Sequence, residues 1–445
     1  MIRKGFRPSK KLLSCLLLAC FLSLLLPFIG HIFNLPEIDF LVYLFAAFFV
    51  LTVTVDWLLS FHRPLLTTHR NINQNLSVNI EQTVTLQVLN NGNKNYLVNI
   101  EDHIPGDWIL LTNSVYHPVL ANQILDIEYQ AKPTIRGLAE LTNTELRVTS
   151  RLGFWQFSWL DENKSQVKVY PNFSAISDMA GLNGSVNLTQ AGLKKFNLRG
   201  SGMDFRQLRE YRQGESLKQI DWRATSRFNK LISREFQEEK NQNLVIMLDA
   251  GQRMCVSDES MTYFDHALNS LILLSHTALK NGDNLSIQSF GAETRWLGQI
   301  KGAQNISKIL HHFYDLYPQK TASDYLRSAQ DLLNKQPKRA LILLVSCLRD
   351  EDFSDLLDAV RLLQKKHLVA VISISEPIYQ SILNKQVEGF EDALLFASTQ
   401  ILEQSIARNL KRLKKQGVIC IHAPVNQLTS NVINTYLSVK NAGLL

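Results

Sequence analysis

Two long apolar runs open the chain, from 12 to 29 and from 40 to 61, before any amphipathic period sets in. No residue from Leu12 to Ile29 is charged, and Asp56 is the only charge from Phe40 to Phe61. As a helix each run crosses roughly 30 Å of hydrocarbon. The pattern predicts a two-helix membrane hairpin, with helices at about 12–32 and 40–61, inside an anchor of residues 1–62. A signal peptide fits less well, because its apolar stretch runs to about 7–15 residues and ends at small residues. Here the first run is longer and a second follows at once. Leu17-Leu18-Ala19-Cys20 looks like a poor lipidation box, but the apolar run continues through Phe21 to Ile29. Asp56 is expected near the end of the second helix, where its carboxylate reaches the headgroup region; a polar contact within the membrane is the alternative.

From 63 to 172 the period changes to two, as in Val84-Leu86-Val88, Leu146-Val148 and Val167-Val169. Ile124, Ile127 and Tyr129 follow it with one slip. Turn residues intervene at Asn90-Asn91-Gly92-Asn93, Pro105-Gly106-Asp107 and Arg136-Gly137, and no helical stretch interrupts. Half-buried antiparallel strands follow, in an all-β sandwich of immunoglobulin or fibronectin type. Residues 173–240 are polar, Gly-punctuated and Arg-rich, a segment expected to pack on the domain after it. From 241 to 445 strands and helices alternate. Strands are expected at 243–250, 285–290, 295–300, 340–346, 368–374 and 418–422. Helices are expected at 262–280, 303–316, 324–335, 353–366, 391–416 and 426–440. Such alternation builds an α/β, Rossmann-type domain around a mainly parallel sheet. Its ligands bind beyond the carboxyl ends of the strands, which directs attention to the residues after Leu248 and Val345.

Composition sharpens the address rather than the fold. A length of 445 residues allows about three units. A mean hydropathy of -0.06 with 20% charged residues excludes a wholly disordered chain and a many-span transporter. Lys and Arg outnumber Asp and Glu by 47 to 40, and Arg3, Lys4, Arg7, Lys10 and Lys11 precede the first apolar run. With Glu37 and Asp39 in the connector and His62, Arg63 and Arg70 after the second run, the bias places both ends of the hairpin, and the bulk of the chain, in the cytoplasm. The expected location is the cell (inner or plasma) membrane, multi-pass. Cys15, Cys20, Cys255, Cys347 and Cys420 form neither a disulfide framework nor a CxxC metal pattern.

The most informative stretch is 200–227, GSGMDFRQLREYRQGESLKQIDWRATSR. Gly200-Ser-Gly202 invites comparison with a phosphate loop, but no convincing strand precedes it and no G-K-[ST] follows. Nucleic-acid binding needs unbalanced positive charge, whereas Asp204, Glu210, Glu215 and Asp221 interleave with Arg206, Arg209, Arg212 and Arg223. The alternation reads as an internal salt-bridge network. The order G-x-G-x-x-F, L-R-E-Y-x-x-G and I-D-W-x-A-T-x-R closely resembles the signature of the domain-of-unknown-function 58 family. It is carried by Gly200, Gly202, Phe205, Leu208, Arg209, Glu210, Tyr211, Gly214, Ile220, Asp221, Trp222, Ala224, Thr225 and Arg227. Glu215, Ser216 and Lys218 depart from it, standing where the family usually has two acids and an Arg. The resemblance implies two membrane spans, a β-rich segment and a C-terminal von Willebrand factor A-like domain. It also implies association with MoxR-type AAA+ ATPases.

A functional domain of that type holds a metal in the loop D-x-S-x-S, with a Thr in a second loop and an Asp after the next buried strand. Hard Mg²⁺ wants about six oxygens at roughly 2.0–2.1 Å. Here loop one is Asp249-Ala250-Gly251-Gln252-Arg253, so Gly251 and Arg253 stand in place of both serines. Thr321 or Ser323 is left to offer the second-loop hydroxyl, and Cys347, a soft ligand, lies where the Asp is due. The expected site is degenerate and metal-free, with Arg253 filling the vacated position and pairing with Asp249; the alternative has Arg253 pointing to solvent. Asp350, Glu351 and Asp352 could supply a displaced ligand, or simply mark a helix N-terminus. No G-x-S-x-G, H-E-x-x-H or Walker lysine occurs. The expectation is a non-enzymatic, membrane-anchored adaptor that docks proteins and binds no nucleic acid. Two other readings stand beside it: ligand binding through a retained Mg²⁺, and an enzyme or nucleotide-dependent factor using Arg209, Glu210 and Asp221. The basic helix bearing Arg408, Lys411, Arg412, Lys414 and Lys415 reads as a solvated face, with a bilayer or partner contact as the alternative.

Overall fold

The computed structural model describes residues 2–32, 37–62, 64–112, 115–172, 204–213, 217–237, 241–258 and 261–444. The chain divides into two compact units, Met1–Tyr170 and Pro171–Leu445.

The first unit begins with a strand rather than a free basic tail: β1 (Ile2–Pro8) pairs antiparallel with a later strand of the sandwich. Helices α1 (Lys10–Ile32) and α2 (Glu37–Ser60) follow. Among the described residues, 42–60 form a helix long and apolar enough to cross a membrane. The sandwich strands are β2 (Leu66–Asn71), β3 (Asn75–Ser77), β4 (Gln82–Asn90), β5 (Tyr96–Asp102), β6 (Trp108–Leu110), β7 (Tyr116–Val119), β8 (Ile124–Pro133), β9 (Gly137–Thr149) and β10 (Trp155–Tyr170). One sheet runs β1-β10-β9-β5-β7, with β3 on β10; the other runs β2-β4-β8-β6. The alternating apolar residues of these strands meet between the sheets, among them Val84, Leu86, Val88, Val98, Leu146, Val148, Val167 and Val169. A buried ion pair joins the sheets. The Arg70 guanidinium meets both oxygens of Asp102, which also accepts from Tyr129 Oη at 2.5 Å and Thr144 Oγ1 at 3.0 Å.

Asp56 is corrected by the structure. It lies near the end of α2 as expected, but its carboxylate is buried against the turn that joins β9 to β10 instead of reaching outward. Ser150 Oγ donates to it at 2.6 Å, and the N–H groups of Leu152 and Phe154 donate at 3.0 and 3.4 Å. Trp155 Nε1 donates to the Val53 carbonyl at 3.1 Å. Ser9, at the start of α1, grips the same turn, its Oγ donating to the Gly153 carbonyl and its N–H to the Phe154 carbonyl. The entry to α1 and the exit from α2 are thus both held by residues 150–155.

In the second unit a two-stranded hairpin, β11 (Asp204–Glu210) with β12 (Ile232–Gln237), embraces the short helix α3 (Trp222–Phe228). The rest is a six-stranded sheet of β13 (Asn243–Asp249), β14 (Asn284–Phe290), β15 (Trp296–Lys301), β16 (Leu341–Ser346), β17 (Leu368–Ser375) and β18 (Ile419–Pro424). Its order is β15-β14-β13-β16-β17-β18, parallel except for edge strand β15. The connecting helices are α4 (Tyr263–Lys280), α5 (Ile306–Phe313), α6 (Tyr325–Lys335), α7 (Phe353–Gln364), α8 (Pro377–Asn384), α9 (Phe390–Lys415) and α10 (Val425–Asn441). Alternate residues of β13 face opposite ways. Leu244, Ile246 and Leu248 join a core with α4, α5 and α10, while Val245 and Met247 join a core with α6, α7 and α9. A capping box at Thr262 and Asp265 starts α4, and Asp324 caps α6 by accepting from Arg327 N–H. Helix α8 lies where no helix is expected from the sequence; Pro377 at its first position pre-sets the turn. Because β14 lies on one side of β13 and β16 on the other, the switch in strand order falls at the carboxyl ends of β13 and β16.

Candidate functional site

Asp249 ends β13 at that switch point, and it is fully buried. Four donors surround its carboxylate. Ser323 Oγ donates at 2.5 Å and Gly251 N–H at 2.8 Å to one oxygen; Ser346 Oγ donates at 2.6 Å and Tyr325 Oη at 3.3 Å to the other. Burial outweighs these hydrogen bonds and holds the Asp249 carboxyl above its ordinary pKa. Burial also pushes the Tyr325 phenol well up, and the Asp249 charge adds to that effect. Ser346 and Tyr325 are not among the expected site residues. Ser346 closes a fully apolar strand, one residue before the Cys347 that motif spacing selects.

The expected pairing of Arg253 with Asp249 is overturned. Arg253 turns away, its Nε 3.1 Å from Asp352 and its terminal nitrogen paired with Glu351. The hydroxyls of Ser323 and Ser346 fill the space around Asp249 at no cost of bringing a guanidinium into it, and the acids after β16 offer Arg253 partners nearer to solvent. Asp350 takes Asn409 Nδ2 at 2.8 Å, so none of the three acids is turned to Asp249 as a displaced ligand. Thr321 uses its hydroxyl on the Gly291 carbonyl at 2.5 Å and its own carbonyl on Gln252 N–H at 2.9 Å. Cys347 belongs to the apolar core, and burial pushes its thiol up, away from the thiolate that binds metal.

Loop one has no room for the serine of the metal-binding pattern. A Cβ on Gly251 would stand 2.1 Å from Ser323 Oγ and 2.9 Å from the Thr321 carbonyl, so the place of a loop-one serine is already taken. Gly291 has φ +92°, and a Cβ added there would stand 2.9 Å from the same carboxylate, so only glycine fits. Loops one and two meet on one oxygen of Asp249, through Gly251 N–H and Ser323 Oγ.

The signature residues have mainly local structural partners. Asp221 caps α3, accepting from Arg223 N–H at 3.1 Å and Ala224 N–H at 3.0 Å, and lies 3.3 Å from Arg234 Nε. Thr225 Oγ1 accepts from Ile232 N–H at 3.0 Å, and Tyr211 N–H donates to the Leu231 carbonyl. Glu210 pairs with Lys230. Arg209 donates to its neighbour's carbonyl, Glu210 O, at 3.5 Å, and no ion pair links it to Asp221 among the described residues. The backbone of Phe205 is in β11, and Trp222, Arg223 and Arg227 are exposed on α3. Gly200, Gly202 and Gly214 lie outside the described residues.

Residues 207–399 match the family described as protein of unknown function DUF58. A curated relative, the uncharacterized protein YeaD of Bacillus subtilis (strain 168), is 25% identical over 105 residues, 24% of this chain and 24% of YeaD. The match thus spans about a quarter of that relative's length. An aerotolerance-related membrane protein from Bacteroides fragilis NCTC 9343, solved with multiple mutations to serines, shares 15% identity over 44% of this chain and 99% of that one, at a TM-score of 0.29. The CARDB domain of the PF1109 protein from Pyrococcus furiosus, solved with di-metal ions, shares 16% identity over 24% of this chain and 88% of that one, at a TM-score of 0.19. At such TM-scores neither structure bears on the site.

Proposed function

From the match of residues 207–399 to the DUF58 family we propose that the chain is a membrane-anchored, non-enzymatic adaptor. Its α/β domain is of the von Willebrand factor A type and docks partner proteins without a metal. A MoxR-type AAA+ ATPase is the partner, in the assembly or activation of a larger complex. The hairpin of α1 and α2 spans the cell membrane twice, with the bulk of the chain in the cytoplasm. The shared grip of residues 150–155 on the entry to α1 and the exit from α2 supports that topology, since it keeps both ends on one side.

The observation that carries the metal-free reading is the sealed carboxylate of Asp249. A site that exchanges a metal or turns over a substrate needs an open position on its central ligand; here both oxygens are engaged by the protein itself. The test is isothermal titration of the full-length protein in detergent micelles with Mg²⁺ and Mn²⁺. No heat of binding is expected for the wild type or for D249N. Micromolar binding that D249N abolishes overturns the proposal in favour of a retained metal site.

A further inference from the structure

We infer that the outer face of α3 and its flanks is the surface that meets the partner, and that the partner presents an acidic surface with an apolar cleft. The inference rests on the docking reading above and names the place and the chemistry of the contact. The inner side of this small module is supplied by Ile220, Ala224 and Ile232, which are buried. Large apolar side chains are left outside. Trp222 is 67% exposed, Leu217 69%, Phe228 58% and Leu231 48%. Four large apolar side chains left exposed on one short module of residues 217–231 mark an interaction site.

Its charge states what it fits. In the described residues 217–234 the charged side chains are Lys218, Arg223, Arg227, Lys230 and Arg234 against Asp221 alone. Lys230 and Arg234 are paired with Glu210 and Asp221. Lys218, Arg223 and Arg227 have no carboxylate partner among the described residues, and Arg227 lies 5.9 Å from the centre of the Phe228 ring. Trp and Arg side by side are the residues that dominate protein interfaces, and unpaired guanidiniums select carboxylates, which they can hold in bidentate pairs. The two carboxylates set among the cations give the surface a pattern of signs that a protein partner can match in register.

The surface is also held ready. The Asp221 cap, the Thr225 hydroxyl on Ile232 N–H, and the left-handed Asn229 that ends α3 fix the helix on its hairpin before any partner arrives. Little ordering is then left to oppose binding.

The test uses the full-length protein in nanodiscs of neutral lipid, with W222A, R223E/R227E and R223K/R227K. The probes are a fluorescein-labelled peptide of Asp, Glu, Leu and Phe, and a purified MoxR-type ATPase from the same genome. All three positions changed are exposed, so urea midpoints should match the wild type. The peptide is expected to bind the wild type in a salt-sensitive way, with affinity lowered about thirtyfold in W222A and in R223E/R227E and much less in R223K/R227K. Equal binding, or no binding, across wild type and variants overturns the inference. So does binding of phosphatidylglycerol vesicles or a polyuridine oligomer through these residues when the peptide does not bind. ATPase binding that both W222A and R223E/R227E leave intact refutes this face while sparing the docking proposal. Peptide binding that depends on Trp222 without any ATPase binding upholds the face and removes the ATPase as its partner.

Discussion

Asp249 is the residue on which the reading of the α/β domain turns. Replacing it with Ala strips four donors of their acceptor and should cost about 1–3 kcal/mol, measured as a urea midpoint shift in detergent micelles; D249N, which keeps one acceptor, should cost less. Because the folded-state pKa is raised, the folded protein holds the proton more tightly than the unfolded chain. That contribution is full below the ordinary carboxylate pKa and is lost as pH rises toward the folded value. Stability of the wild type relative to D249N should therefore improve as pH falls toward the ordinary carboxylate range, which urea midpoints across a pH series would read. Gly251 gives the complementary test. G251S restores the serine of a metal-binding loop but sets its Cβ on Ser323 Oγ, so it should destabilise by about 1–3 kcal/mol and gain no metal affinity. The position of Asp249 was legible in the sequence, as the acid that ends an apolar strand. Ser323 was legible too, as a candidate second-loop hydroxyl, but Tyr325 and Ser346 were not, because they lie 76 and 97 residues away and only the fold brings them to the carboxylate.

At the scale of elements, sequence and structure agree best where the apolar period is long. The buried run of β13, the amphipathic α4 with its capping box and the closing helix α10 all follow from spacing. Agreement fails where charge or shortness hides the pattern. Basic residues make β1 look like a tail, and α8 is too short to show a period. The hairpin and helix of the signature were likewise obscured by its alternating charges. Two element contacts carry predictions. Helix α10 is fastened by Lys440, whose Nζ lies 2.8 Å from Asp283 with both side chains buried, and by Tyr436 Oη on the same oxygen. K440A leaves that carboxylate without its cation and should cost about 3–5 kcal/mol, while K440M/D283N should recover part of the loss; thermal unfolding of the three proteins decides it. Helix α2 is fastened by Asp56. D56A should expose the turn at 150–155 to proteolysis and amide exchange, which limited trypsin digestion at Arg151 and hydrogen exchange would read, whereas a headgroup role would leave both unchanged.

For the whole molecule, the even hydropathy of the chain conceals an apolar hairpin joined to a β-sandwich in one unit and a parallel α/β sheet in the other. What the sequence could not carry is the assignment of partner to surface, since exposure is a property of the fold and not of the spacing. The central claim, that this is an adaptor for an AAA+ ATPase, is tested most directly by affinity purification of the full-length protein from detergent-solubilised membranes. The account predicts that a MoxR-type ATPase co-purifies in the presence of ATP and is released when ADP replaces it. Recovery of no AAA+ ATPase in either nucleotide state would contradict it.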